Sequence, residues 1–225
     1  MTSSLPMRTT ILLSGGGTTF AAIEAATNER VAITHVISDN PDAYGLERAH
    51  QRSITTHCVP YSTFASRPAF DAALLEAVER TDPDLVVLAG FMRIVSPDFV
   101  RAFDGRLLNI HPSLLPLYPG LDTYARALAD QRSEHGSTVH FVNDVLDGGP
   151  LIAQAVVTVE NDDTPASLST RVQRAERVLY PTVIDWFAHG RLRQKEGRAW
   201  LDDVALDVPL RGRVDEQTNS WIRDD

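Results

Sequence analysis

Hydrophobic positions follow two rhythms along this chain. Thr9 to Leu13 is a short β-rich run that stops at Ser14-Gly15-Gly16-Gly17. Thr18 to Glu29 then carries Phe20, Ile23 and Ala26 on one helical face. Val31 to Ser38 reads as a strand, Tyr44 to Ser53 as a helix and Ile54 to Val59 as a strand. Arg67 to Thr81 is a helix with Phe70, Leu74, Ala77 and Val78 on one face. Leu85 to Ala89 is continuously apolar, the pattern of a central parallel strand buried on both faces. Pro97 to Phe103 predicts a short helix, Arg106 to His111 a strand, and Pro112 to Gly120 a proline-rich loop. Thr123 to Gln131 reads as a helix, Thr138 to Val142 and Pro150 to Val159 as strands, and Pro165 to Ala188 as a long helix.

Strands alternating with helices predict an α/β fold, an open, mostly parallel twisted sheet with helices on both faces. Residues 1–8 read as a disordered lead-in and 9–206 as one domain, with a first half at 9–105 and a second at 106–206. From Gly190 the chain is polar, with one strand-like patch at Ala199 to Leu206, and 207–225 reads as a loose tail.

Composition narrows the function classes. The formal net charge of -9 argues against a nucleic-acid partner, which would call for a basic face. Cys58 is the only cysteine, so the chain has no internal disulfide and no cysteine zinc site; next to His57 in a strand it reads as a small core residue. A reducing compartment follows. Ile11-Leu12-Leu13 is too short for a signal core or a bilayer span, so no membrane partner is expected and the cytoplasm is the default. A homodimer stays open.

Three segments carry candidate chemistry. Gly15, Gly16 and Gly17 feed a helix start, where backbone N–H groups can hold a phosphate; a plain tight turn is the alternative. A dinucleotide fold gains from Asp39 at the next strand end, but Phe20 occupies its third glycine position. Asn109 and His111 alternate along a strand and share a face at its carboxyl end, where open α/β sheets bind ligands. A capped strand end with a paired core histidine is the plain alternative. Asp147 precedes Gly148-Gly149-Pro150, and ordinary turn chemistry explains an aspartate there. Should Asp147 reach His111, the pair could hold an imidazolium that donates to a developing oxyanion and passes on a proton. His135 and His140 fall on opposite strand faces and are poor joint metal ligands; no metal is implied.

Ser14 to Gly17, Gly90 to Ile94, Leu108 to Pro116, Tyr118 to Gly120 and Asp147 to Pro150 stand together in an order that resembles the folate-dependent formyltransferases. With Arg171 to Glu176, the chain looks like their bacterial phosphoribosylglycinamide formyltransferase family, also called glycinamide ribonucleotide transformylases, from about Ile11 to about Leu201. The resemblance implies formyl transfer from 10-formyltetrahydrofolate to the amine of glycinamide ribonucleotide in purine biosynthesis, through a tetrahedral oxyanion. It implies Asn109, His111 and Asp147 as catalytic residues. Asn109 would hydrogen-bond the formyl oxygen, His111 would be the general acid, and Asp147 would hold His111 and help order a water. Gly17, Thr18 and Thr19 would bind the substrate phosphate, and Gln173, Arg174, Ala175 and Glu176 its ribose side. Met92, Arg93, Ile94 and Val95, with Asn143, Asp144, Val145, Leu146 and Asp147, would wrap the pteridine, and Arg67 would contact the folate further out.

Three departures qualify the match. The family's phosphate loop usually reads G-N-G-S-N, whereas Gly16 and Thr19 replace both asparagines here and Thr18 the serine. Asp122 and Tyr124 stand where relatives often carry histidines, and Ser137-Thr138 reverses a common order. Related enzymes are competing readings. A methionyl-tRNA formyltransferase would carry a further carboxyl-terminal domain and a basic surface, and a formyltetrahydrofolate hydrolase an amino-terminal regulatory domain. A non-catalytic nucleotide-binding module would have no use for His111. One X–Pro bond of the proline loop is expected to be cis, with Leu115–Pro116 the first choice.

Overall fold

The computed structural model describes residues 5–224. Residues 1–4 of the lead-in expected at 1–8 lie outside them. Met7 and Arg8, also assigned to that lead-in, already belong to strand β1 (Met7–Leu13). Met7 and Arg8 are half-buried, while Thr9 to Leu13 are buried. Two compact units divide after Leu108.

In the first unit β1 is followed by α1 (Thr18–Ala26), β2 (Val31–Ser38), α2 (Tyr44–His50), β3 (Thr55–Cys58), α3 (Arg67–Glu79), β4 (Leu85–Leu88) and α4 (Pro97–Ala102). The strand order is β4-β1-β2-β3 and each neighbouring pair is parallel. Parallel neighbours need a crossover, which the intervening helices supply. β4 is buried along its whole length, as its unbroken apolar run requires. On α3, Phe70, Leu74 and Val78 recur every fourth residue and are all buried. Each contributes roughly 1.5–3 kcal/mol by leaving water. Ser66 caps α3, its side chain accepting from Ala69 N, and Pro68 occupies the first turn, where a missing N–H costs nothing. Cys58, expected in the core, is only half-buried because β3 ends the strand order; partial burial still pushes its thiol up.

The second unit contains most of β5 (Leu107–His111), then α5 (Thr123–Ala129), β6 (Glu134–Phe141), β7 (Leu151–Thr158) and α6 (Pro165–Ala188). β6 begins four residues before its expected start, because Glu134 to Ser137 pair antiparallel with Ala155 to Thr158. α6 opens with a capping box. Ser167 N donates to Thr164 Oγ1 at 3.2 Å, and Thr164 N donates to Ser167 Oγ at 2.9 Å. Its buried stripe includes Leu168, Val172, Ala175, Leu179, Val183 and Ile184, at helical spacing.

After α6 the polar segment forms three short strands, and the tail expected to be loose at 207–225 carries two more within its described residues. β8 (Leu192–Lys195), β9 (Arg198–Leu201) and β10 (Val204–Ala205) form a small antiparallel sheet. β11 (Leu210–Asp215) pairs parallel with β7, and β12 (Ser220–Arg223) pairs antiparallel with β11. β11 reads as polar because only Leu210 and Gly212 are buried, while Arg211 and Arg213 face solvent and both bind Glu134. Trp221 anchors the hairpin: its indole N–H donates to Gln154 O at 3.0 Å and its ring meets Trp186 edge-on at 5.7 Å. No helix among the described residues is long and apolar enough to cross a membrane.

Candidate active site

Strand spacing puts Asn109 and His111 on one face at the end of β5. The next segment is locked by its neighbours. Thr138 Oγ1 donates to Ser113 O at 2.7 Å and accepts from Leu115 N at 3.0 Å and Gln154 Nε2 at 3.0 Å. Gln154 Nε2 also donates to Leu115 O at 2.7 Å, and Thr123 Oγ1 to Pro112 O at 2.7 Å. The Leu115–Pro116 peptide is cis, the bond chosen from the sequence.

Asp147 does reach His111. Its Oδ2 lies 3.3 Å from His111 Nδ1, with both side chains 8% exposed. Asp147 stands at φ 51°, in a loop tied by Val145 N to Asn143 Oδ1 (3.0 Å) and Gly148 N to Val145 O (3.0 Å). Gly149 allows that loop to close: a Cβ there would stand 1.9 Å from Phe141 O. The same Oδ2 accepts from Gly120 N at 2.8 Å. The other ring nitrogen of His111, Nε2, donates to Tyr118 O at 2.9 Å. Both nitrogens therefore face oxygen acceptors. With the proton of Nε2 committed to a carbonyl, Nδ1 is the atom that can take up or release one.

His140 completes the cluster. Its Nδ1 donates to Phe141 O at 2.7 Å, so in the neutral ring Nε2 is an acceptor, and Asn109 Nδ2 donates to it at 3.2 Å. Burial pushes this imidazole down to about 4, against the opposing effects of the Phe141 carbonyl and of Asp147, whose Oδ1 lies 3.9 Å away. A neutral His140 thus fixes the Asn109 amide with one N–H engaged and the other available. The sequence named His140 only as a poor metal ligand. A polar side chain in a strand buried from His135 to Phe141 was the signal that could have flagged it. Among the described residues no group of three His, Cys, Asp or Glu is placed to hold a metal ion.

The remaining expected residues of the second unit divide by helix face. On α6, Glu176 is 8% exposed, and burial pushes its carboxyl up to about 7. Its charge in turn adds to the burial that raises the nearby Tyr124 hydroxyl to about 12. Gln173, one turn earlier, is exposed and donates to Ser169 Oγ at 3.1 Å. Arg174 turns instead to Glu216, at 3.1 Å, and Ala175 is packed in the core. Arg171 of the same helix is structural: it binds Asp163, whose carboxyl it holds well below the usual range, and donates to Thr158 O at 3.0 Å. In the loop before β7, Asp144 is exposed, as are the apolar Val145 (63%) and Leu146 (50%), while Asn143 is half-buried.

In the first unit the glycine loop ends at Gly17, the N-cap of α1, at φ 69°. Glycine is required there for its left-handed φ and because a Cβ would stand 2.6 Å from Gly45 Cα. Thr18 and Thr19 follow in the first turn of the helix. Arg48 was not anticipated: from α2 its Nε donates to Gly16 O at 2.9 Å, placing a cation beside the loop. Asp39, the ribose candidate of the dinucleotide reading, is instead buried against Arg93, with Nε to Oδ2 at 2.8 Å. The Arg93 guanidinium also covers the Tyr61 ring at 3.9 Å. Arg67 reaches Ile94 O and holds Asp71 at 2.7 Å, so it does join the 92–95 segment. There Met92 and Ile94 are exposed (69% and 62%) and Val95 is half-buried.

Comparison with known proteins fits this geometry. Residues 7–184 match the model of the family described as formyl transferase. The phosphoribosylglycinamide formyltransferase of Escherichia coli (strain K12) is 50% identical over 203 residues, covering 89% of this chain and 96% of that protein. The enzyme of the same name from Haemophilus influenzae is 42% identical, covering 92% and 98%. A solved structure of phosphoribosylglycinamide formyltransferase from Coxiella burnetii, 47% identical, superposes with a TM-score of 0.85 over 89% of this chain and 96% of that one. Its mostly parallel α/β fold is the architecture found here. The chain belongs to the formyl transferase family, among its bacterial-type phosphoribosylglycinamide formyltransferases.

Proposed function

We propose that this enzyme transfers the formyl group of 10-formyltetrahydrofolate to the amine of glycinamide ribonucleotide, a step of purine biosynthesis. The observation that carries the reading is the contact of His111 Nδ1 with Asp147 Oδ2 at 3.3 Å, beside an Asn109 amide anchored on neutral His140. The amine attacks the formyl carbon, and the carbonyl electrons move to oxygen. The remaining Asn109 N–H and the Nδ1–H of protonated His111 donate to that oxyanion. Asp147 balances the imidazolium charge. Collapse of the intermediate expels the folate nitrogen, which takes a proton relayed from His111, and the attacking amine loses its own to solvent.

The family resemblance supplies the binding roles. Gly17, Thr18 and Thr19 hold the substrate phosphate at the start of α1, with backbone N–H groups and hydroxyls in place of the family's asparagines. Glu176 and Gln173 bind the ribose hydroxyls. Arg67 and the segment Met92 to Val95 contact the folate, as do Asn143 to Asp147. In the first unit Met92 and Ile94, and in the second Val145 and Leu146, are apolar side chains left exposed, which supports an apolar ligand face for each segment. Arg174, tied to Glu216, and Ala175, packed in the core, are less suited to the ribose role inferred from the resemblance. Small-molecule substrates and the cytoplasm are the setting that this reading implies.

Steady-state kinetics of His111→Ala test the reading. The expected result is a fall in kcat of roughly a hundredfold or more, the loss typical of a removed acid or oxyanion donor. A folded variant with unchanged kcat would refute the role of His111.

A further inference from the structure

The proline loop returns to the strand end at Tyr118, whose carbonyl oxygen receives the His111 Nε2 proton at 2.9 Å. Tyr118 stands at φ 55°, a left-handed conformation that a large side chain rarely adopts. Such a conformation persists only where surrounding contacts determine it. Here the side chain is held on three sides. Its Oη donates to Asp130 Oδ2 at 2.6 Å and accepts from Arg132 Nε at 3.1 Å. The Arg126 guanidinium lies 5.1 Å from the ring centroid and donates through Nη1 to Pro119 O at 2.7 Å. The His135 ring meets the Tyr118 ring edge-on at 6.1 Å. None of these groups touches Asn109 or Asp147, and the formyl-transfer chemistry leaves them without a task.

We propose that Tyr118 is a positioning residue: its phenol, clamped by Asp130 and Arg132, holds its carbonyl on His111 Nε2 and so keeps Nδ1 turned to Asp147. The carbonyl plays the part that an orienting carboxylate plays in a hydrolase triad, selecting one tautomer and one ring rotation. The phenol acts with the bonds that hold the flanking peptides, Leu117 N to Leu114 O at 3.1 Å and Gly120 N to Asp147 Oδ2 at 2.8 Å. The orientation of the acid therefore depends in part on a contact made at the far end of a phenol ring. The catalytic consequence rests on the reading of His111 given above; the orientation itself does not.

The test is Tyr118→Phe, which keeps the ring but removes both Oη bonds. Two readouts are needed: steady-state kinetics, and ¹⁵N NMR of histidine-labelled protein with the His111 signal identified by difference against His111→Ala. The expected result is a kcat lowered roughly tenfold, as for a misplaced catalytic group, with KM for both substrates within about twofold. The His111 ring should shift from protonation at Nε2 toward a mixture that includes Nδ1–H. Asp130→Asn, which leaves an acceptor for Oη, should lose less than Asp130→Ala. If Tyr118→Phe does not fold, the Asp130 pair carries the same two readouts. A His111 ring that keeps the wild-type tautomer in Tyr118→Phe, or in Asp130→Ala, overturns the proposal whatever the rate. A shifted tautomer together with a wild-type rate in His111→Ala would leave the positioning intact and remove the catalytic reading instead.

Discussion

Glu176→Gln should make the protein more stable at alkaline pH and leave it nearly unchanged in mild acid. The carboxyl is buried on α6, and desolvation holds it at about 7 rather than the ordinary 4.5. Arg177 on the same helix opposes that shift without cancelling it. The folded state therefore binds the proton more tightly than the unfolded chain. Stability from this group is fully present below about 4.5 and is lost as pH rises through about 7. The loss is about 3 kcal/mol, at 1.36 kcal/mol per pH unit. Glutamine has the shape of the protonated acid and never ionises. At pH 5 the variant should be ahead by no more than about 1 kcal/mol, and at pH 8 by about 3 kcal/mol. His135 and His140 shape the pH profiles of both proteins: burial pushes both from 6.5 down to about 4, so their contributions fade as pH falls from about 6.5 through about 4. They are common to both proteins, so the difference between proteins isolates Glu176. Urea unfolding from pH 5 to pH 8, read by circular dichroism, supplies the measurement. A difference that stays flat across that range would show that Glu176 is not held neutral, and the desolvation argument would fail. The variant should also bind glycinamide ribonucleotide more weakly, which a KM rise would report.

Two further substitutions probe the catalytic cluster. Asp147→Asn keeps an oxygen for Gly120 N but removes the charge 3.3 Å from His111 Nδ1, a Coulomb attraction of up to about 5 kcal/mol at an effective dielectric constant of about 20; kcat should fall roughly a hundredfold, and a wild-type rate would refute the charge-balancing role. Gly149→Ala forces a Cβ within 1.9 Å of Phe141 O; the loop carrying Asp147 must shift, so thermal unfolding should show a lower midpoint and kcat should drop, whereas unchanged values for both would refute the close-approach argument.

The strand–helix alternation of the first unit was legible because each element buries one rhythm of side chains. β2 and α6 have the bounds that the pattern predicts, since Ser38 and the turn after it, and Thr164 with Pro165, punctuate the chain sharply. Edge strands were harder. β11 buries only alternate small or apolar residues, and its pairing depends on β7, which is remote in sequence. The same distance hid parts of the site. Asn109 and His111 were placed on one face by spacing alone, but Asp147, His140 and the Tyr118 carbonyl meet them only through tertiary packing. The family pattern supplied Asp147 and left His140 out. Arg93 shows the converse: a residue expected to touch folate already holds the buried Asp39, so any folate contact must come from the exposed remainder of its side chain.

The central claim is that the formyl group passes to an amine. Incubation with 10-formyltetrahydrofolate, with and without glycinamide ribonucleotide, followed by quantification of tetrahydrofolate and formylated product, tests it most directly. The expected result is one tetrahydrofolate released per formylated glycinamide ribonucleotide, and no turnover in the absence of the amine. Folate deformylated at the same rate without the amine, or no deformylation in either mixture, would contradict it.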